Sequence, residues 1–203
     1  MGIRERRARE KEDLKQEILD AARDLFIRDG YESVSMRKIA DRIEYSPTTI
    51  YLYFRDKSEL FDCLSEQAFG KLLEKLQSIG GQESNGPMDR LRKGLCAYAE
   101  FGLENPDHYQ ITFMTADARA ADAQANRRHE VGCQSFGCLK QTVSSCIEAD
   151  ILRVVDIDLA SQILWAGVHG ITSLLIAKPS FPWVDKKKLI SETIDTMLEG
   201  LRK

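Results

Sequence analysis

Apolar positions along this chain recur with a helical period, and no run alternates apolar and polar residues as a strand would. Leu14, Ile18, Ala21, Ala22, Leu25 and Phe26 fall on one face of a helix that stops at Asp29 and Gly30, with glycine at the C-terminal capping position. Two shorter helices are predicted next, at about residues 35–42 and 46–54. Lys57 opens a longer one that carries Leu60, Phe61, Leu64, Phe69, Leu72, Leu73 and Leu76 as far as Ile79. Residues 80–87, rich in glycine and closed by Pro87, form the clearest loop. Beyond it, helical patterns cover about residues 88–103, 106–114, 118–147, 158–177 and 185–201, with further breaks at 103–106 and 178–183. The pattern predicts an all-α fold of about nine helices, with a small N-terminal three-helix unit in front of a larger C-terminal helical bundle.

Composition narrows this picture. Of 203 residues, 43% are hydrophobic and 30% charged, enough for a sizeable core inside a water-compatible surface. No stretch reaches the roughly 18 uninterrupted apolar residues of a membrane span, and residues 163–177 are interrupted by His169. The basic N-terminus has no apolar segment behind it and so is not a signal peptide. The expectation is a cytoplasmic protein without a membrane partner. Five scattered cysteines, an odd number, fit a reducing compartment better than a disulfide framework. The net charge of −3 carries no general sign of nucleic-acid binding, but residues 1–11 hold five basic against two acidic side chains. This segment reads either as a basic arm for phosphates or a minor groove, or as a solvated tail.

Two short helices joined by a tight turn behind a longer support helix are the layout of a helix-turn-helix, whose second helix enters the major groove. Ser46 is placed to cap that helix and Pro47 suits its first position. Backbone N–H groups at such a terminus suit a phosphate. Thr48 and Thr49 carry methyls that match a thymine C5-methyl, and Tyr51 and Tyr53 can reach phosphates through their phenols. Ile50 should face the support helix with Ile39 and Ala40.

The run from Ser46 to Leu60, with its spacing Tyr51-x-Tyr53-Phe54-x-x-Lys57-x-x-Leu60, resembles the recognition helix and following junction of TetR/AcrR-type transcriptional regulators. Upstream, Ala21, Ala22, Leu25, Phe26, Gly30, Tyr31, Ser35, Ile39 and Ala40 are similar to the first and second helices of that family, so the likeness covers about residues 12–62. By position it implies DNA contacts from Ser35, Arg37, Thr48, Thr49, Tyr51 and Lys57, the last to a phosphate. Two positions depart from the family pattern. Glu44 stands where the turn usually has glycine, which demands a left-handed residue or a different path. Leu52 stands where a polar residue is usual.

The resemblance implies residues 12–56 as the DNA-binding domain behind a basic arm at 1–11. Residues 57–203 would bind an effector and dimerise. The partners implied are palindromic double-stranded operator DNA, a second copy of the chain and a small apolar or aromatic effector, with no cofactor. Leu164 to Gly170, with Trp165 and His169, resembles a Trp-x-x-x-His-Gly pattern of one C-terminal subgroup. Tyr98, Phe101, Tyr109, Phe113, Trp165 and His169 are either walls of an effector pocket or ordinary core. Ile163, Ala166, Gly170, Ser173 and Leu174 form one apolar stripe. Leu189, Ile190, Ile194, Met197, Leu198 and Leu201 form another, and the two make either a four-helix dimer interface or intramolecular core. His129, Cys133, Cys138 and Cys146 lack the converging spacing of a metal site, though a thiol or metal sensor is a rival reading. No catalytic constellation is evident, so the chain is not read as an enzyme. A helical interaction protein without DNA binding is the other rival.

Overall fold

The structure, a computed structural model, describes residues 2–80, 86–114, 127–153 and 156–203. Among these the chain is helical, with nine α-helices and no strand beyond a single bridge between Leu152 and Arg202. It forms two compact units. One comprises residues 1–68 and 107–128, the other residues 69–106 and 129–203.

In the first unit, α1 runs from Ile3 to Asp29 and ends at Gly30, whose φ of 79° is open to glycine at no steric cost. The basic segment expected as a separate arm is therefore the first turns of this helix. The local reason is helix-compatible charge: Glu5 accepts the Gly2 N–H at 3.0 Å and Arg6 pairs with Glu10 one turn on at 3.4 Å. A 3₁₀ turn, Tyr31–Ser33, leads to α2, Met36–Arg42, and α3, Pro47–Tyr51. Next comes α4, Lys57–Gly80, whose first part completes this unit. Leu60, Phe61 and Leu64 are buried with Ile18, Leu25, Phe26, Ile39 and Ile50, so the N-terminal unit extends past the boundary expected at 56. Phe26, Tyr31 and Phe61 form an aromatic triangle with centroids 5.1–6.1 Å apart. The segment expected as one helix at 106–114 is α6, Pro106–Tyr109, followed by a wider π turn, Gln110–Met114, that puts Ile111 into this same core.

The second unit contains the rest of α4 with α5, Pro87–Glu104; α7, Arg127–Glu148; α8, Ile157–Ala177; and α9, Lys186–Leu201. Of the long helix expected at 118–147, residues 118–126 lie outside the described residues. The helices α5, α8 and α9 pack against one another around Leu91, Leu95, Leu164, Val168, Ile194 and Leu198. Asp156 and Asp185 cap α8 and α9 through the Leu159 and Lys188 N–H groups. Arg92 of α5 grips Asp195 of α9 with two hydrogen bonds, 2.6 and 2.8 Å, and adds one to Ser191 at 2.7 Å. By length and composition α8 could cross a membrane, but Ala160, Leu164, Val168, Thr172 and Leu175 on one side of it are buried in the protein.

One expectation needs correcting here. Ile190, Ile194 and Leu201, assigned to a dimer surface, are buried inside the chain, and Met197 lies against Gly167. Ile190, Ile194, Leu198 and Leu201 are thus covered within their own chain, the intramolecular-core alternative for this stripe, while Leu189 and Met197 are half-buried. The α8 stripe differs: Ile163, Ala166 and Leu174 remain exposed, with Gly170 partly so.

Candidate nucleic-acid interface

The turn between α2 and α3 is closed by Tyr45 N–H donating to Ala40 O at 3.0 Å. It reaches that closure by holding Glu44 at φ 61°, the left-handed one of the two alternatives that the missing glycine left open. Ser46 then starts α3 by accepting the Thr49 N–H at 3.1 Å, and Pro47 occupies the first helical position. The Ser46 and Thr49 hydroxyls are also hydrogen-bonded to each other at 2.9 Å, so both belong to the cap as built. Ser35 plays the same part for α2, accepting the Lys38 N–H at 3.2 Å.

The short α3 has one inner and one outer side. Ile50 is fully buried in the core that holds Ile39 and Ala40, as its position predicts. Thr48, Tyr51 and Leu52 are exposed, and Arg37 on α2 is exposed as well. Tyr53 packs partly on the core with only part of its ring outside. A folded helix-turn-helix with a polar, hydroxyl-rich outer face is thus in place, rigidly set by two N-caps and one buried isoleucine. Its exposed phenol and hydroxyls can donate to phosphate oxygens.

Lys57, expected to meet a phosphate, is engaged by its own chain. Its ammonium donates to Tyr31 O at 3.0 Å, lies 4.3 Å from the Tyr31 ring centroid, and is 3.7 Å from a Glu32 carboxylate oxygen. In this arrangement it ties the start of α4 to the 3₁₀ turn. The sequence reading overlooked Asp56, which accepts the Ser58 and Glu59 N–H groups at 2.9 and 3.0 Å and so caps α4. The signal was present as Asp56 followed three residues later by Glu59, which itself accepts the Arg55 N–H at 2.6 Å. Burial pushes the Asp56 carboxyl up, but the Glu59 and Ser58 backbone bonds together with the Arg55 guanidinium hold it below the usual carboxylate range.

The residues expected to wall an effector pocket fall into two groups. In the first unit, Tyr109 is buried and packs on Phe113 with centroids 4.8 Å apart. In the second unit, Tyr98 on α5 meets Trp165 and His169 on α8, while Phe101 is buried nearby in sequence on α5. Trp165 Nε1–H donates to the Tyr98 oxygen at 3.2 Å, and that oxygen lies 3.2 Å from His169 Nδ1. Indole nitrogen can only donate, so the phenol accepts from it, while the His169 tautomer sets which of the phenol and Nδ1 donates in their shared bond. On its other side neutral His169 is hydrogen-bonded through Nε2 to Ser173 Oγ, 3.1 Å away. Burial favours this neutral form by lowering the imidazole pKa. Phe136 of α7, not foreseen from sequence, meets the Trp165 ring edge-on at 5.9 Å. Ser173 was foreseen only as part of an apolar stripe; its place one helical turn after His169 is the signal for its hydrogen bond.

Burial pushes the thiols of Cys63, Cys96 and Cys138 upward and that of Cys146 to about 11, which keeps these four in the unreactive thiol form.

Two family models match the chain. The bacterial regulatory proteins of the tetR family match residues 18–64, and a tetracyclin repressor-like C-terminal domain matches residues 91–200. The chain is similar to the HTH-type transcriptional regulator AcrR of Shigella flexneri, 29% identical over 94% of this chain and 90% of that one. It is also similar to the HTH-type transcriptional repressor KstR of Rhodococcus jostii, 28% identical over 74% of this chain and 72% of the relative. In fold it superposes on a bacterial regulatory protein in the tetR family from Rhodococcus RHA1. That likeness has a TM-score of 0.75 at 16% identity, covering 93% of this chain and 96% of the other.

Proposed function

Since the chain belongs to the TetR family of bacterial transcriptional regulators, we propose that it acts as a cytoplasmic homodimeric repressor. It holds a palindromic operator until a small apolar or aromatic molecule occupies each C-terminal unit. The observation that carries the DNA-binding part is α3 itself: capped by Ser46, anchored by fully buried Ile50, and turning Thr48 and Tyr51 outward. Such a helix fits a major groove, with Arg37, Thr48, Thr49 and Tyr51 towards the DNA and Ser35, Ser46, Pro47, Tyr53 and Lys57 supporting the frame.

A second copy is supported by the outer side of α8, where Leu159, Ile163 and Leu174 are 55%, 45% and 49% exposed. Covering these with their two-fold mates removes an apolar strip from water. The effector reading rests on Tyr98, Trp165, His169 and Phe136, an aromatic wall with polar tips, which is a common lining for a small-molecule site. An effector acts by favouring the dimer arrangement in which the two α3 helices no longer meet successive major grooves. A coupling of ~1–3 kcal/mol between effector and operator gives about a 5–150-fold response.

Selection of bound sequences from a randomised duplex pool with the full-length chain tests this reading. The expected product is an inverted repeat whose half-site centres lie about 34 Å, or a multiple of it, apart. Recovery of unenriched sequence, or of single unpaired half-sites, would refute it.

A further inference from the structure

Among the described residues Leu52 is the most exposed large hydrophobic side chain, at 76%, and it follows Tyr51 at 55%. Exposed apolar side chains scattered singly need no explanation. Leu52 is not placed at random, because it stands one helical turn after Thr48 on the outward side of the helix that reads DNA. The chemistry of the whole segment from Ser46 to Tyr53 sharpens this. It contains hydroxyls, phenols, a proline and aliphatic groups, but no guanidinium, amide, ammonium or carboxylate. Specific hydrogen-bonded readout of guanine uses Arg or Lys on O6 and N7, that of adenine uses Asn or Gln on N6 and N7, and that of cytosine uses a carboxylate on N4. None of these is available from α3. Its serine and threonine hydroxyls can bond to base edges of either kind and so discriminate little, and the base feature matched to its exposed apolar groups is the C5-methyl of thymine, displayed in the major groove.

We propose that α3 reads 5-methylpyrimidines, with Leu52 as the principal specificity residue and the Thr48 methyl beside it. This rests on the DNA-binding reading above and adds what the helix recognises. Discriminating hydrogen-bonded base readout then falls to residues outside α3, of which exposed Arg37 and Arg42 carry the guanidiniums on α2. The substitution of leucine for a polar residue at this position thus exchanges one kind of recognition for another and does not delete it.

The test uses the full-length chain and the duplex enriched from the randomised pool. Each thymine of one half-site and its symmetry mate is replaced by deoxyuridine, which removes the methyl and leaves base pairing intact. At one or two positions per half-site the wild-type chain should lose affinity about threefold to tenfold, the effect of uncovering one or two methyl-sized contacts. With Leu52→Ala, binding is weaker on thymine DNA and the deoxyuridine penalty at those positions falls below about twofold. Replacing the same thymine pairs by 5-methylcytosine–guanine pairs should retain more affinity than unmethylated cytosine–guanine pairs. The side chain is largely in water, so folding is not at stake, and the wild-type series needs no variant. Absence of any deoxyuridine penalty on DNA that is still bound selectively overturns this inference alone. An undiminished penalty in Leu52→Ala transfers methyl reading to other residues and overturns the role of Leu52. Failure to enrich any sequence overturns this inference together with the function it rests on.

Discussion

Glu44 shows how much one residue can cost and still be kept. A left-handed backbone costs a non-glycine residue about 1–2 kcal/mol, while glycine gives back about 0.5–1 kcal/mol as extra freedom in the unfolded chain. Glu44→Gly should therefore stabilise the protein by about 0.5–1 kcal/mol, and Glu44→Val should destabilise it, as read by urea unfolding. Equal midpoints for all three would show that the turn is not strained. His169 offers a second residue-scale test. Its pKa in the folded protein lies below its ordinary 6.5 because burial disfavours the charged ring. The unfolded chain therefore binds the proton more readily, so this group's stabilisation is complete above about pH 6.5 and is lost as pH falls through the lower folded value. Thermal melts should drop over that interval in the wild type and drop less in His169→Gln. The Glu44 strain was legible in the sequence because a side chain stood where a turn asks for glycine. The binding of Lys57 was not, since its partners are the carbonyls of Tyr31 and Glu32, 26 and 25 residues away.

At the scale of elements, the fit of α8 against α9 depends on a missing side chain. A Cβ built at Gly167 would overlap the Met197 sulfur. Gly167→Ala pushes aside only the flexible end of the Met197 side chain and gains about 1 kcal/mol of helix propensity. The net change in stability should therefore stay within about 1 kcal/mol, and Met197→Ala in the same chain should recover whatever the contact costs. No recovery in the double variant would mean that the helices do not meet at this pair. The same contact explains what sequence periodicity could not settle. The apolar stripes of α8 and α9 were both visible as spacings, and the all-α fold with its helix order follows from such spacings. A stripe says that one face is covered, but not by what. The coverage of Ile190 and Ile194 comes from helices of their own chain, and only the three-dimensional fold brings those helices alongside. The split of the 106–114 segment into α6 and a π turn was equally invisible, because no glycine or proline marks the change of pitch.

For the whole molecule, two copies and one operator must fit together. Ile163 lies on the uncovered side of α8, so Ile163→Asp leaves the fold of the chain intact and places a charge in the proposed two-fold contact. Sedimentation should then show monomers in place of dimers. Operator affinity should fall about a hundredfold or more, since each half-site loses the effective concentration supplied by its mate. A dimer that survives the substitution would move the interface elsewhere. The central claim is that this acidic chain recognises a particular DNA sequence through α3. It is tested most directly by titrating the full-length chain, beside Tyr51→Ala, onto the selected duplex and onto a scrambled duplex of equal length, at two salt concentrations. The wild type should prefer the selected duplex by about a thousandfold or more and bind both less tightly at higher salt. Tyr51→Ala should weaken binding to both duplexes alike. Equal affinity of the wild type for the two duplexes, or binding indifferent to salt, would contradict the account.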